Sequence, residues 1–152
     1  MPESDPAFSH LDDTGAARMV DVGHKPVQQR SATAVGELLC QPATLELLRA
    51  KALPKGDVLA AARLAGILGA KRTDELIPLC HGLPLESVSV DFEVLADRIR
   101  ISATARVAAK TGVEMEALVA VSLAGLTLYD MMKAVDKTMT LTGVRVVAKT
   151  KV

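Results

Sequence analysis

The sequence predicts an α+β sandwich, in which helices lie against one antiparallel sheet. Three observations predict it. Val88, Val90, Phe92 and Val94 alternate with Ser89, Asp91 and Glu93. After the short Ala96-Asp97 link, Ile99, Ile101, Ala103, Ala105 and Val107 repeat the pattern against Arg98, Arg100, Ser102, Thr104 and Arg106. A period of two faces one side of a strand to a core and the other to water, and so short a link makes the pair an antiparallel hairpin. The second observation is a long helix that follows at about 112–135. The third is a last alternating run, Val144, Val146 and Ala148 against Arg145 and Lys149.

The remaining elements fall around these. Residues 1–18 are polar and mixed, with no apolar region of a targeting signal, and read as a flexible tail. Residues 19–152 read as a single domain, since a chain of this size has room for one compact core. Residues 19–22 are a short apolar-containing stretch, and 27–35 a strand of poor alternation. Pro42 opens a short helix carrying Leu45, Leu47 and Leu48. Lys55-Gly56-Asp57 makes a turn and N-cap before a helix over 58–71. Gly66 and Gly69 within that helix lower its propensity and imply close backbone packing. Pro78 ends what precedes it. The order strand, helices, hairpin, helix, strand suits a ferredoxin-like antiparallel sheet with helices on one face, plus an extra helix. From 117 to 129 the long helix is apolar around nearly its whole circumference, so a sheet alone leaves one side bare. Either a partner subunit or the 58–71 helix covers it.

Composition narrows the function. Hydrophobic residues make up 49% of the chain and aromatics 2%, so Val, Leu, Ile, Ala and Met build the core. Eighteen basic residues balance eighteen acidic ones, which argues against a nucleic-acid surface. An RNA-binding domain of this topology would stack bases on sheet aromatics, and only Phe92 is on offer. The longest apolar run, 117–129, is broken by Ser122, Gly125 and Thr127 and falls short of the roughly 20 residues that span a bilayer. Cys40 and Cys80 lack CxxC spacing, and a reduced, cytoplasmic setting is the simplest reading.

Three segments gather residues that can do chemistry. Lys55-Gly56-Asp57 precedes a helix N-terminus, where free N–H groups can hold phosphate, although Asp57 would repel an anion there and serves equally as a cap. Cys80-His81 sits in an apolar stretch. The pair can be read as nucleophile and base, as metal ligands, or as packed side chains; no second Cys/His cluster completes a metal site. His81 is the best candidate for proton transfer at neutral pH. On the long helix, Glu114 and Glu116 occupy the first turns, where the helix dipole favours carboxylates. Asp130, Lys133 and Lys137 share one face near its end. Asp130 directly follows the apolar run, so partial dehydration is expected to shift its pKa. Lysines, carboxylates and one histidine together suit a polyanionic small molecule, whether the protein is an enzyme or a non-catalytic ligand-binding module.

Three blocks resemble the cyclic pyranopterin monophosphate synthases, the molybdenum-cofactor biosynthesis protein C family: MVDV at 19–22, LPKGDVLAAARLAGILGAKRTDELIPLCHGLPL at 53–85, and TGVEMEALVAVSLAGLTLYDMMKAVDK at 111–137. The resemblance implies a ferredoxin-like fold assembled as a homohexamer, a trimer of dimers, with active sites between subunits. It implies conversion of a cyclised dihydroguanosine triphosphate, made by an upstream radical enzyme, into a pyranopterin with a cyclic phosphate, with loss of diphosphate. Asp130 and Lys133 fall on its catalytic positions. Leu79, Cys80, His81, Met115 and Glu116 fall on substrate-binding ones, joined by Lys55, Glu114, Lys149 and Arg30. No protein-bound cofactor or metal is implied, although magnesium can accompany the triphosphate. Family members often continue into a glycine- and lysine-rich tail, which this sequence, ending at Val152, does not contain, so any contact of that tail is expected to be missing.

Overall fold

The computed structural model describes residues 8–152. Its elements run β1 (Gln28–Leu39), α1 (Pro42–Arg49), α2 (Val58–Lys71), α3 (Thr73–Leu76), β2 (Ser87–Val94), β3 (Arg98–Ala109), α4 (Glu114–Met132) and β4 (Thr140–Lys151). The strands form one sheet in the order β2-β3-β1-β4, every pair antiparallel. Each of the two helical connections joins parallel strands across an intervening one, which is the ferredoxin-like arrangement. Residues 1–7 of the expected tail lie outside the described residues. Residues 8–18 hold a turn in which Asp12 Oδ1 accepts from Thr14 N–H, Thr14 O–H and Ala16 N–H.

One face of the sheet is the core. Ala32, Ala34 and Leu38 of β1, Val90 of β2, and Ile99, Ile101, Ala103, Ala105 and Val107 of β3 are buried against the helices. The other face is polar: Thr33 and Thr104 hydroxyls meet at 2.8 Å, and Glu37 accepts from Arg98 at 2.6 Å. With few large aromatics in the chain, the layers close tightly. A Cβ on Gly36 would come within 2.8 Å of Val121 Cγ1, so α4 rests almost directly on β1. A Cβ on Gly66 would come within 2.8 Å of the Ala120 carbonyl, so α2 and α4 cross backbone to backbone, as the glycines implied.

That crossing settles part of the cover for α4, because α2 packs along its flank on the same sheet face, where Gly66 also meets Val90 of β2. Leu126, Leu64 and Leu68 nevertheless stay exposed on the outer faces of the two helices. Although short of an uninterrupted apolar run, α4 is 19 residues long and apolar enough by composition to cross a membrane. Half of that stretch is buried inside the fold, where it forms the core helix.

Element boundaries moved where local pattern was weak. β1 extends to Leu39, since pairing with β3 and β4 on both sides holds it where alternation does not. β4 is twice the expected run; two register shifts against β1 interrupt its alternation. The four residues of α3 are too few to show a period.

Candidate active site

The expected site residues fall into two groups at opposite ends of α4. Glu116 and Asp130 are 14 residues apart, or about 21 Å along a helix rising 1.5 Å per residue.

At the N-terminal end lies a pocket of about 720 Å³. Ile77, Pro78, Leu79, Cys80 and His81 from the segment after α3 form one wall, and Thr111, Gly112, Glu114 and Met115 at the start of α4 form another. Val20, Val22 and Lys25 close a third side. Pro78 follows the end of α3 and opens a turn closed by Cys80 N–H donating to the Ile77 carbonyl at 3.1 Å, which carries Leu79, Cys80 and His81 past α4 outside any helix. Beside this segment Glu116, in the first turn of α4 as expected, is buried. Cys80 Sγ donates to its Oε1 at 3.8 Å, and Oε2 has no partner among the described residues. Burial pushes the Glu116 carboxyl up from the ordinary range, an effect that its hydrogen bonds only partly offset. Burial, then the Glu116 charge, pushes the Cys80 thiol up to about 11. Cys80 is therefore a thiol at neutral pH and a donor rather than a nucleophile. Among the described residues no three His, Cys, Asp or Glu side chains converge as a metal site.

Glu114 links this pocket to a smaller one of about 200 Å³ lined by Arg30, Lys149 and Lys151. Lys149 Nζ lies 3.4 Å from Glu114 Oε1. The Arg30 guanidinium donates to the carbonyls of Ala109 and Lys110 at 3.2 and 3.3 Å, which pins it at the end of β3. Leu79, Cys80, His81, Met115, Glu116, Glu114, Lys149 and Arg30 thus share one end of the molecule.

Asp130, Lys133 and Lys55 share the other. Lys133 Nζ donates to Asp130 Oδ1 at 2.7 Å, and Lys55 Nζ donates to the Asp130 carbonyl at 3.2 Å. Gly56, at φ +83°, turns the chain there, and Asp57 caps α2 by accepting from Ala60 N–H, so the cap reading of that aspartate holds. The expected dehydration of Asp130 is not found: its side chain is 61% exposed, because it points from the outer side of α4 while Leu128 and Met132, two residues before and after it, take the buried side. The Lys133 ammonium, with Lys55 behind it, holds the carboxyl below its ordinary value, and Asp130 in turn raises Lys133. Lys137 is exposed and joins neither group.

Two features escaped sequence reading. Lys25 enters the pocket wall from a segment without periodicity. Asp136 is buried, and its carboxylate accepts from Gln41 N–H, Thr44 O–H, Thr138 N–H and Thr138 O–H, all within 2.9 Å. It ties the start of α1 to the turn leaving α4. An acidic residue before a Lys-Thr pair is the only local signal for it, and that pattern is common in exposed turns.

An apolar pocket beside a dry carboxyl, with Lys25 in its wall and a smaller basic pocket adjoining it, defines an α+β protein with a small-molecule site. The MoaC family model matches residues 19–151. The chain belongs to the MoaC family. It is 58% identical over 144 residues to a cyclic pyranopterin monophosphate synthase from Chloroflexus aggregans, covering 93% of this chain and 87% of that one. It is 58% identical over 145 residues to one from Herpetosiphon aurantiacus, covering 94% and 88%. It is 56% identical over 142 residues to one from Streptomyces griseus, covering 93% and 80%.

Proposed function

We propose that this chain is a cyclic pyranopterin monophosphate synthase of molybdenum-cofactor biosynthesis, a lyase. Its substrate is the cyclised dihydroguanosine triphosphate delivered by an upstream radical enzyme, and its other product is diphosphate. The observation that carries the reading is the match of nearly the whole chain to the family, with relatives of that name at 54–58% identity. The pocket chemistry supports it. Apolar walls suit a flat ring, and a buried carboxyl suits the N–H edge of a guanine-derived one.

Loss of diphosphate with formation of a cyclic phosphate requires a substrate hydroxyl oxygen to attack the α-phosphorus. The bond to the β-phosphate oxygen breaks, the hydroxyl proton passes to a base, and diphosphate departs. In this reading Asp130 and Lys133 handle proton transfers during ring opening and pyrazine formation, with Asp130 ionised and Lys133 charged at the outset. His81 and Glu116 orient the purine-derived part. Lysines, Lys55 and Lys149 among them, stabilise the charge growing on diphosphate. Magnesium can accompany the triphosphate, for which the reading needs no protein ligand.

A separation of about 21 Å is too great for one copy to bring both groups to one reacting centre. The complete site is therefore proposed to form between copies of a cytoplasmic homohexamer, a trimer of dimers, with the Asp130 end of one chain meeting the Glu116 end of another. The exposed leucines on α2 and α4 give such an assembly apolar surface to cover. Incubation with the cyclised substrate, following diphosphate release and pterin fluorescence after oxidation, tests the activity. Release of both supports the synthase. Binding without turnover makes the protein a non-catalytic module, and no binding sinks the reading.

A further inference from the structure

The stretch between the N-terminal turn and β1 has no regular structure, yet side chains of the body hold it over the pocket. The Val20 carbonyl accepts from His81 Nε2 at 2.6 Å, and the Gly23 carbonyl accepts from Lys110 Nζ at 3.1 Å. Asp21 Oδ1 accepts from Gly23 N–H at 2.8 Å and turns the strap between these latches. A carbonyl can only accept, so Nε2 is the protonated nitrogen of His81, and any proton His81 takes up goes to Nδ1. The strap therefore sets the ring nitrogen His81 can offer.

Two residues beyond the second latch stands Lys25, which is the only lysine in the wall of the larger pocket among the described residues. Its ammonium forms no ion pair or hydrogen bond with a described residue, unlike three other cations at this end. Arg30 is spent on strand-end carbonyls, Lys149 faces Glu114, and Lys110 holds the strap. An unpaired ammonium at the rim of an apolar pocket attracts the anionic part of whatever enters.

We infer that Lys25 is a further substrate-binding residue, an anion contact carried over the pocket by a strap latched at His81 and Lys110. The inference rests on the proposed function for the ligand's identity, a triphosphate. It is tested on the full protein with inorganic tripolyphosphate as the probe, by calorimetry at low salt, alongside turnover of the cyclised substrate. In Lys25→Gln, tripolyphosphate Kd and substrate KM both rise about tenfold, the loss of one charge-assisted hydrogen bond. The kcat stays within about twofold, because the contact is uniform between ground and transition states. Lys25→Arg restores most of the binding, and Lys110→Met, which loosens the strap, weakens it less than Lys25→Gln does. Unchanged Kd and KM in Lys25→Gln would overturn the inference. So would Lys25→Arg binding no better than Lys25→Gln, or a parent protein that binds no tripolyphosphate. A parent that binds tripolyphosphate through Lys25 yet turns nothing over sinks the synthase reading and leaves the anion contact standing.

Discussion

The two ends of α4 carry acidic residues of opposite character on one helix. At the N-terminal end Glu116 is 3% exposed, lacks a partner for one oxygen and is pushed toward its neutral form. At the C-terminal end Asp130 is open to water, bonded to Lys133 and held ionised. Burial raises a carboxyl and an adjacent ammonium lowers it, so position alone separates a hydrogen-bonding acid from a charged base. The dry end is finished within one chain. The wet end has its charges in place but no wall, and in the proposed assembly a second copy supplies one.

Loss of the wet end is expected to have the largest effect. Asp130→Asn should lower kcat by at least about a hundredfold, as should Lys133→Ala, with the oligomer intact by gel filtration. A variant that dissociates instead would make these residues structural. If the ends belong to different chains, an Asp130→Asn protein and a Glu116→Gln protein, each impaired at sub-saturating substrate, should regain activity when unfolded and refolded together. Random pairing in a two-fold dimer leaves about a quarter of the sites intact. No recovery would break the composite site.

A smaller effect is expected at Asp136, which holds the two chain segments behind the wet end. Burial raises this carboxyl, but the four donors outweigh burial and its folded pKa lies below the ordinary value. Its contribution is therefore present above the unfolded pKa of about 3.9 and lost as pH falls through the lower folded value. Asp136→Asn should cost roughly 2 kcal/mol at neutral pH, since an amide nitrogen must face a donor, and the gap should close in acid. Urea titrations across that range measure it; a constant gap would remove the charge from the explanation.

The smallest effect has the opposite sign. The raised pKa of Glu116 penalises the fold as pH climbs from the unfolded value of about 4.3 toward the folded one. Glu116→Gln should then stabilise the protein by roughly 1 kcal/mol at neutral pH, with no gain below about pH 4, while weakening substrate binding. A destabilised Glu116→Gln would mean that the buried carboxylate is better satisfied than its surroundings imply.

Much of this molecule is written locally. The alternation of 88–107 determined the hairpin, Lys55-Gly56-Asp57 the turn and cap before α2, and Gly66 the close crossing with α4, because each depends on residues adjacent in the chain or on the size of one side chain. The family blocks marked both ends of α4 as chemical. Only the tertiary structure decided that Glu116 is dry while Asp130 is wet, because burial depends on what distant segments lay over each turn. It alone brought Asp136 to the start of α1, 95 residues earlier, and Lys25 over the Leu79-Cys80-His81 wall. A single charged residue in an irregular segment carries no period, so its partner is chosen by where the chain folds back and not by its neighbours in sequence.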